Sequence, residues 1–233
     1  MAESRAVARD PRIERGLLAQ LAERRRRLDA GERSLGWKLG MGVPSAMEKL
    51  AISAPLVGFM LEPALLRDGE TCALEGWSNP RLEPEIAVHM GADLPGGSSA
   101  EDARRAVAGL GVAIEIVDPD PDASDPEAIL AADIFHRHVL LGPLREGADA
   151  AGVSARILRA GEEVAAVADA TEATGDPFGL VVHVADTVAA SGELLRAGEV
   201  VICGSVVPAP QVAPGERWEV VLDPLGSLSV AFS

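Results

Sequence analysis

Between Arg12 and Leu28 the apolar residues Ile13, Leu17, Leu18, Leu21 and Leu28 recur at helical spacing, with arginines on the opposite side. The pattern predicts an amphipathic helix that stops near Gly31, its Arg24–Arg27 cluster forming a solvated face. After Gly36 the period changes. Trp37-Lys38-Leu39 reads as a short strand between glycines, and Ser45 to Leu50 as a helix of one or two turns, with Ser45 placed to cap it. Farther along, segments rich in Val, Ile and Leu are punctuated by Gly, Pro and Asp. Ala54–Leu61, Arg81–Met90, Gly111–Val117, Val139–Gly142, Glu163–Asp169, Val200–Gly204, Arg217–Leu222 and Ser227–Phe232 all have strand length. Ala100–Leu110 and Phe178–Ser191 have helical composition and period. Strands with helices interspersed irregularly predict an α+β fold, not repeated βαβ units. We divide the chain into an N-terminal helical region, 1–50, and a β-rich core, 51–233.

Composition then removes whole classes of function. With 21 Lys+Arg against 36 Asp+Glu the net charge is -15, so a nucleic acid would meet repulsion and release no counterions. No apolar run approaches the roughly 18 residues a membrane helix requires, so no membrane partner is expected. Cys72 and Cys203 lie far apart and fit no metal spacing, which suits a reducing compartment. Met1-Ala2-Glu3-Ser4-Arg5 lacks the apolar core of a secretory signal, and together these features predict a cytoplasmic protein. A dinucleotide fingerprint, a P-loop and a nucleophile elbow are all missing. The chain has 19 arginines but only two lysines, Lys38 and Lys49. Where a solvated cation is usually Arg, a lysine within an apolar segment is a candidate for chemistry, because it alone can lose its proton when desolvated.

The acids supply the sharpest signal. In Asn79-Pro80-Arg81-Leu82-Glu83-Pro84-Glu85-Ile86-Ala87-Val88, a strand places Glu83 and Glu85 on one face, about 6.6–6.8 Å apart along it. His89 continues that odd-numbered face. Glu115 sits among aliphatics in Gly111-Val112-Ala113-Ile114-Glu115-Ile116-Val117. Burying such a group ionised and unpaired costs several kcal/mol, on the order of the penalties measured for buried charges. Convergence of the three carboxylates on one cation answers that cost, and an all-oxygen set suits Mg²⁺, with Mn²⁺ close behind. The bland alternatives are a wet strand face and an arginine partner for Glu115. Pro84 cannot donate to a ladder, which predicts an edge strand or a bulge there.

Several motifs together resemble one protein group. Gly36-Trp37-Lys38-Leu39-Gly40, Pro80 to Ala87, and Ile114-Glu115-Ile116-Val117-Asp118 are similar to successive motifs of the 2-keto-4-pentenoate hydratase and 4-oxalocrotonate decarboxylase branch of the fumarylacetoacetate hydrolase superfamily. So are Leu195 to Val201, Gly204, Pro214 to Arg217, and the tail Leu225 to Ser233. The resemblance implies a mixed β-sandwich or roll core with an N-terminal helical region. It implies a divalent metal on Glu83, Glu85 and Glu115, with Lys38 as the family lysine. It further implies a lyase acting on small 2-oxo or 2-hydroxydienoate acids, hydratase or decarboxylase, through a metal-stabilised enolate. Relatives of this kind commonly assemble as homo-oligomers.

For the remaining roles we assign Lys38 and His136 to catalysis and Arg81, Gly204 and Ser205 to substrate binding, with the Gly204 amide approaching the ligand's carboxylate. His138 is expected to bond a loop, His183 to be structural, and His89 to be supporting or structural. Cys203 is expected to be a buried residue, and Asp176-Pro177, in place of a family His-Pro, to start a helix. The chain also departs from the group. Leu56 stands where such hydratases often carry an aspartate. Asp133-Ile134-Phe135-His136-Arg137-His138 replaces a small, polar Asp-Asn-Ala-Ser run, and Pro119-Asp120 follows Asp118 where Ser-Arg is usual. A tautomerase, a carbon–carbon bond hydrolase and a non-catalytic homologue serving as assembly partner are the alternatives.

Overall fold

The computed structural model describes residues 10–233; the reading made at Met1–Arg5 lies outside them. Helix α1 spans Pro11–Asp29, capped by Asp10, whose carboxylate accepts the Arg12 amide at 2.9 Å. Its inner stripe is Gly16, Leu17, Gln20, Leu21 and Arg24. Arg24 therefore departs from the solvated face expected of it. It is buried, lies 4.5 Å over the Trp37 ring, and reaches Glu193 and Glu199. Helix α2 spans Pro44–Leu50, and its cap position is Val43, with no side-chain bond from Ser45. Proline at the first helical position, where an amide would be unsatisfied anyway, starts this helix without a capping hydroxyl.

The larger sheet contains β1 (Ser34–Gly40), β2 (Leu56–Leu61), β3 (Leu65–Leu66), β5 (Arg81–Met90), β6 (Val107–Val117), β7 (His136–Leu141), β8 (Arg145–Glu146) and β11 (Val200–Ser205). The smaller sheet contains β4 (Thr71–Cys72), β9 (Ser154–Arg159), β10 (Glu162–Val167), β12 (Arg217–Asp223) and β13 (Gly226–Phe232). Helices α3 (Ala100–Ala106), α4 (Pro126–Ala131) and α5 (Pro177–Ala189) complete the set. The expected helix over Ala100–Leu110 stops at Ala106, and Val107 opens a long strand instead. Gly109 and Gly111 disfavour helix, and a Cβ on Gly109 would fall 2.2 Å from the Arg145 carbonyl of β8. Strand β9 and helix α4 are additions to the sequence reading.

The larger sheet runs β2-β1-β11-β5-β6-β7-β3, with β8 on β6. Because β2 passes through the turn Glu62–Ala64 straight into β3, one stretch of chain joins the two ends of that order and the sheet curls into a roll. Its inner face is a small apolar set, Met60, Ala87, Ala113, Val139, Val200 and Ile202. The outer face carries Trp37, Leu39, Phe59, Leu82, Ile86, Ile114 and Val201 into the main core, where α1, α5 and the smaller sheet cover them. Period-two alternation thus separates the two faces, and it sends Lys38 inward between Trp37 and Leu39.

Of the irregularities that break that alternation, two lie beside the acids. The expectation of an edge or bulge at Pro84 needs correction: β5 is central, paired on both sides. The Pro84 carbonyl accepts the Val206 amide, so its absent amide faces β11, and there the irregularity lies on the partner strand between Ile202 and Ser205. The second bulge sits on β7, where Arg137 is the extra residue between His138, opposite Ile116, and His136, opposite Val117.

Gly36 shows how tightly the roll is wound. Its φ is +138°, and a Cβ there would lie 2.0 Å from the Val200 carbonyl of β11. Gly36→Ala should therefore cost about 3 kcal/mol or more, read as a shifted midpoint in urea unfolding. Wild-type stability in that variant would mean that β1 and β11 are not so closely apposed.

Candidate metal centre and active site

At one mouth of the roll β5 and β6 bring Glu83 directly opposite Glu115, with Glu85 two residues along the same face. One carboxylate oxygen from each of the three residues lies within 4.8 Å of the others. Glu85 and Glu115 are fully buried and Glu83 is half-buried. Lys38 reaches across from β1, its Nζ 2.6 Å from Glu115 Oε1 and donating to the Ile134 carbonyl at 3.3 Å. The β7 bulge turns His136 toward the same acid, with Nδ1 2.6 Å from Glu115 Oε1. Since an ionised carboxylate can only accept, Nδ1 carries the proton and Nε2 is left as a buried acceptor without a partner.

The β11 bulge has the matching effect on Glu85. Gly204, at φ +92°, directs its amide out of the ladder and donates to Glu85 Oε2 at 2.5 Å. The sequence assigns that amide to the substrate carboxylate; in the structure it is engaged by Glu85. The Ser205 hydroxyl donates to the Val207 carbonyl at 2.7 Å. Arg81 shares the odd-numbered face of Glu83, and its Nη1 donates to the Ala209 carbonyl at 2.9 Å. Lys38, His136, Glu83, Glu85, Glu115 and Gly204 are thus brought together, with Arg81 and Ser205 at the margin.

The other histidines lie apart from the acids. His138 contacts the Ala64 carbonyl at 3.3 Å and stacks on Trp77, and His183 Nε2 lies 2.9 Å from the Pro55 carbonyl. His89 is farther along β5, its Nε2 buried without a partner. Cys203 is buried, and Asp176 caps α5 through the Phe178 and Gly179 amides.

Three further residues at the site have no role assigned from the sequence, although Asp133 and Ile134 lie in the run that departs from the group. Asp133 Oδ1 accepts the Phe59 amide at 2.9 Å and Gln20 Nε2 at 3.1 Å. The third contributor is the Ile134 carbonyl, invisible to any side-chain pattern. Gln20 had a legible signal, being a polar residue on the Leu17–Leu21 stripe of an amphipathic helix.

Electrostatics follow from crowding acids in a dry place. Burial raises Glu83, and Glu115 opposite raises it further, to about 7 despite Lys38 and Arg81. Burial, Glu115 and Glu83 also raise Glu85. For Glu115 the burial penalty is outweighed by Lys38 and His136, so it is held below the usual range. Burial works against the Lys38 ammonium, but Glu115, Glu83 and Asp133 overcome it and hold the proton on. Burial lowers His136 and keeps it neutral. Asp133 rises to about 7, again chiefly by burial.

Whether the residues fit a metal can be read from their spare atoms. Glu85 Oε1 and Glu115 Oε2 are buried and without any hydrogen-bond partner, while the second oxygen of each is already engaged. Buried polar atoms rarely stay unsatisfied. With Glu83 they form a hard, all-oxygen set suited to Mg²⁺ or Mn²⁺.

A pH dependence of stability follows. Above about pH 6.5 the unfolded carboxylates are ionised and unfolded histidines mostly neutral, whereas Glu83 and Asp133 still hold protons in the fold. The folded state therefore binds more protons, and its stability falls as pH rises through about 7. The metal-free protein should lose roughly 3 °C or more in melting temperature between about pH 6.5 and 8, and saturating Mg²⁺ should flatten that slope. A melting temperature that rises over this window, or ignores Mg²⁺, would contradict these assignments.

No family model matches the chain. It is 29% identical over 229 residues to the 2-keto-4-pentenoate hydratase of Paraburkholderia xenovorans, covering 96% of this chain and 85% of that one. It is 27% identical over 215 residues to a 4-oxalocrotonate decarboxylase of Pseudomonas putida, covering 90% and 81%. Among solved structures, the 4-oxalocrotonate decarboxylase of Pseudomonas putida G7, complexed with magnesium and adipate, superposes with a TM-score of 0.88 at 25% identity over 95% of this chain and 86% of that one. By sequence and by fold, this chain is a homologue of 2-keto-4-pentenoate hydratases and 4-oxalocrotonate decarboxylases.

Proposed function

We propose that the protein is a divalent-metal-dependent lyase acting on small 2-oxo or 2-hydroxydienoate acids, with hydration of a 2-hydroxypenta-2,4-dienoate-like substrate as the first reading. The observation that carries it is the convergence of Glu83, Glu85 and Glu115 beside a lysine ion-paired to one of them at 2.6 Å. Glu83, Glu85 and Glu115 would hold Mg²⁺ or Mn²⁺, which when bound supplies Lewis-acid polarisation of a 2-oxo acid.

The chain's own groups do the rest. Lys38 is held as an ammonium by Glu115, so its first act is to donate, either polarising the 2-oxo oxygen or delivering a proton to substrate. His136 fixes Glu115 through Nδ1 and keeps a lone pair on Nε2, where a proton can be received. Arg81, Gly204 and Ser205 border Glu83 and Glu85 and suit a carboxylate-bearing ligand once their present partners yield.

Hydration is taken before decarboxylation because the Ile134 that meets Lys38 through its carbonyl belongs to an apolar cluster. Leu56 shares the inward face of Gly58 and packs with Ile134, Leu50 and Leu130, while Phe135 and Met41 flank the cluster. Apolar surroundings of this kind would suit an apolar far end better than a second carboxylate, whose desolvation they would not repay. We further propose cytoplasmic location and a homo-oligomeric assembly; Leu18, 64% exposed on α1, is an apolar residue that assembly would cover. Among the described residues no helix is long and apolar enough to cross a membrane.

A panel of 2-oxo and 2-hydroxydienoate acids, with and without Mg²⁺ and followed by CO₂ release and ultraviolet absorbance together, tests the reading. We expect Mg²⁺-dependent loss of dienoate absorbance without CO₂. Lys38→Met should keep its Mg²⁺ affinity and lose about 10²–10⁴ in kcat. Stoichiometric CO₂ would favour the decarboxylase. Absence of any turnover, or a Lys38→Met enzyme of wild-type rate, would overturn the proposal.

A further inference from the structure

Asp133, Ile134 and Phe135 form a single left-handed turn with φ of 50°, 50° and 62°. For a β-branched isoleucine this is a genuine outlier, and each such residue costs on the order of 1 kcal/mol or more. The turn delivers two things. The Ile134 carbonyl accepts from Lys38 Nζ, and the next residue, His136, meets Glu115.

Backbone bonds from Phe135 to Ala132 and from Asp118 to Phe135 close the turn locally, and one carboxylate oxygen ties it to two other elements. Asp133 Oδ1 takes the Phe59 amide from β2, the strand that opens the sheet order, and the Gln20 amide from α1. Gln20 is 1% exposed and stands one helical turn after Gly16. A Cβ at Gly16 would fall 2.7 Å from the Glu127 carbonyl and 2.8 Å from Leu130 Cβ, so α1 is pressed onto α4, the helix that runs directly into the turn. Gly58 closes the arrangement on the other side. A side chain there would meet Lys38 Cγ at 2.8 Å and Asp133 Oδ1 at 2.9 Å. The lysine stem and the Asp133 carboxylate thus share a space that only glycine leaves open.

We propose that Asp133, latched by Gln20, is a positioning residue for Lys38: its hydrogen bonds hold the left-handed turn so that the Ile134 carbonyl fixes the ammonium beside Glu115. The inference rests on Lys38 as the acid–base group of the lyase reading.

The test reads the ammonium directly as well as through rate. With two lysines in the chain, ¹⁵Nζ-labelled lysine gives two side-chain signals, and Lys49→Arg identifies the one from Lys38. In Asp133→Ala and Gln20→Met we expect the Lys38 signal to move or broaden, and kcat to fall at least about 10-fold while KM and Mg²⁺ affinity stay within about threefold. Asp133→Asn keeps the acceptor oxygen and should keep the rate within about threefold of the wild type, with a Lys38 signal as sharp as the wild type's, though displaced by the lost charge. If Asp133→Ala does not fold, Gln20→Met, which keeps the helix, carries the test alone. In Asp133→Ala or Gln20→Met, an unmoved Lys38 signal or a moved signal with unchanged kcat would overturn the inference, as would an Asp133→Asn protein as impaired as Asp133→Ala. Should the wild type turn over no dienoate, the lyase reading fails by itself, and the Lys38 signals of the variants still decide the latch.

Discussion

Carboxylates within a few ångströms of one another in a dry interior repel strongly and hydrate poorly, so they need positive charge and directed donors to stay ionised. Around Glu83, Glu85 and Glu115 the fold meets that need from several directions. Lys38 and His136 converge on one oxygen of Glu115, and the Gly204 amide takes one oxygen of Glu85. Two buried oxygens remain without a partner in the chain, and with Glu83 they form a set that a cation would complete. Protons are the substitute when no cation is bound, which is why Glu83 and Glu85 are raised while Glu115 is lowered.

Three departures from regular structure serve this mouth of the roll. A regular β11 would spend its amides on the ladder, and a regular β7 would turn His136 away from Glu115. Each bulge sits beside the acid that it supplies. The left-handed turn at 133–135 adds a backbone carbonyl for Lys38, and Gly58 gives room for the lysine stem. Local strain gathers where the ionic groups meet, while the regular strands behind them supply the packing that holds it.

Much of this was legible in the sequence because strands alternate. Arg81–Met90 reads correctly from end to end, and Glu83 and Glu85 share a face as their i, i+2 spacing requires. Glu115 announces itself by being charged in an aliphatic run, and Lys38 by its rarity. What could not be read depends on partners distant in the chain. The helical pattern of Ala100–Leu110 gave way at Val107 because β5 and β8 offered pairing to a glycine-containing strand. Pro84 signalled a bulge, but the bulge lies on β11, across a gap of more than a hundred residues. Arg24 looked like one of four solvated arginines, and only the position of Trp37 explains its burial. The use of the Gly204 amide on Glu85 likewise depends on that bulge.

The central claim is that these three acids form one divalent-cation site, and Mn²⁺ titration of the metal-free protein, followed by the electron paramagnetic resonance of the free ion, tests it most directly. The account predicts one saturable site per chain, displaced by Mg²⁺ and lost in Glu85→Gln and in Glu115→Gln while both variants stay folded. Folded variants that bind Mn²⁺ as the wild type does, or a wild type that leaves the ion free, would contradict it.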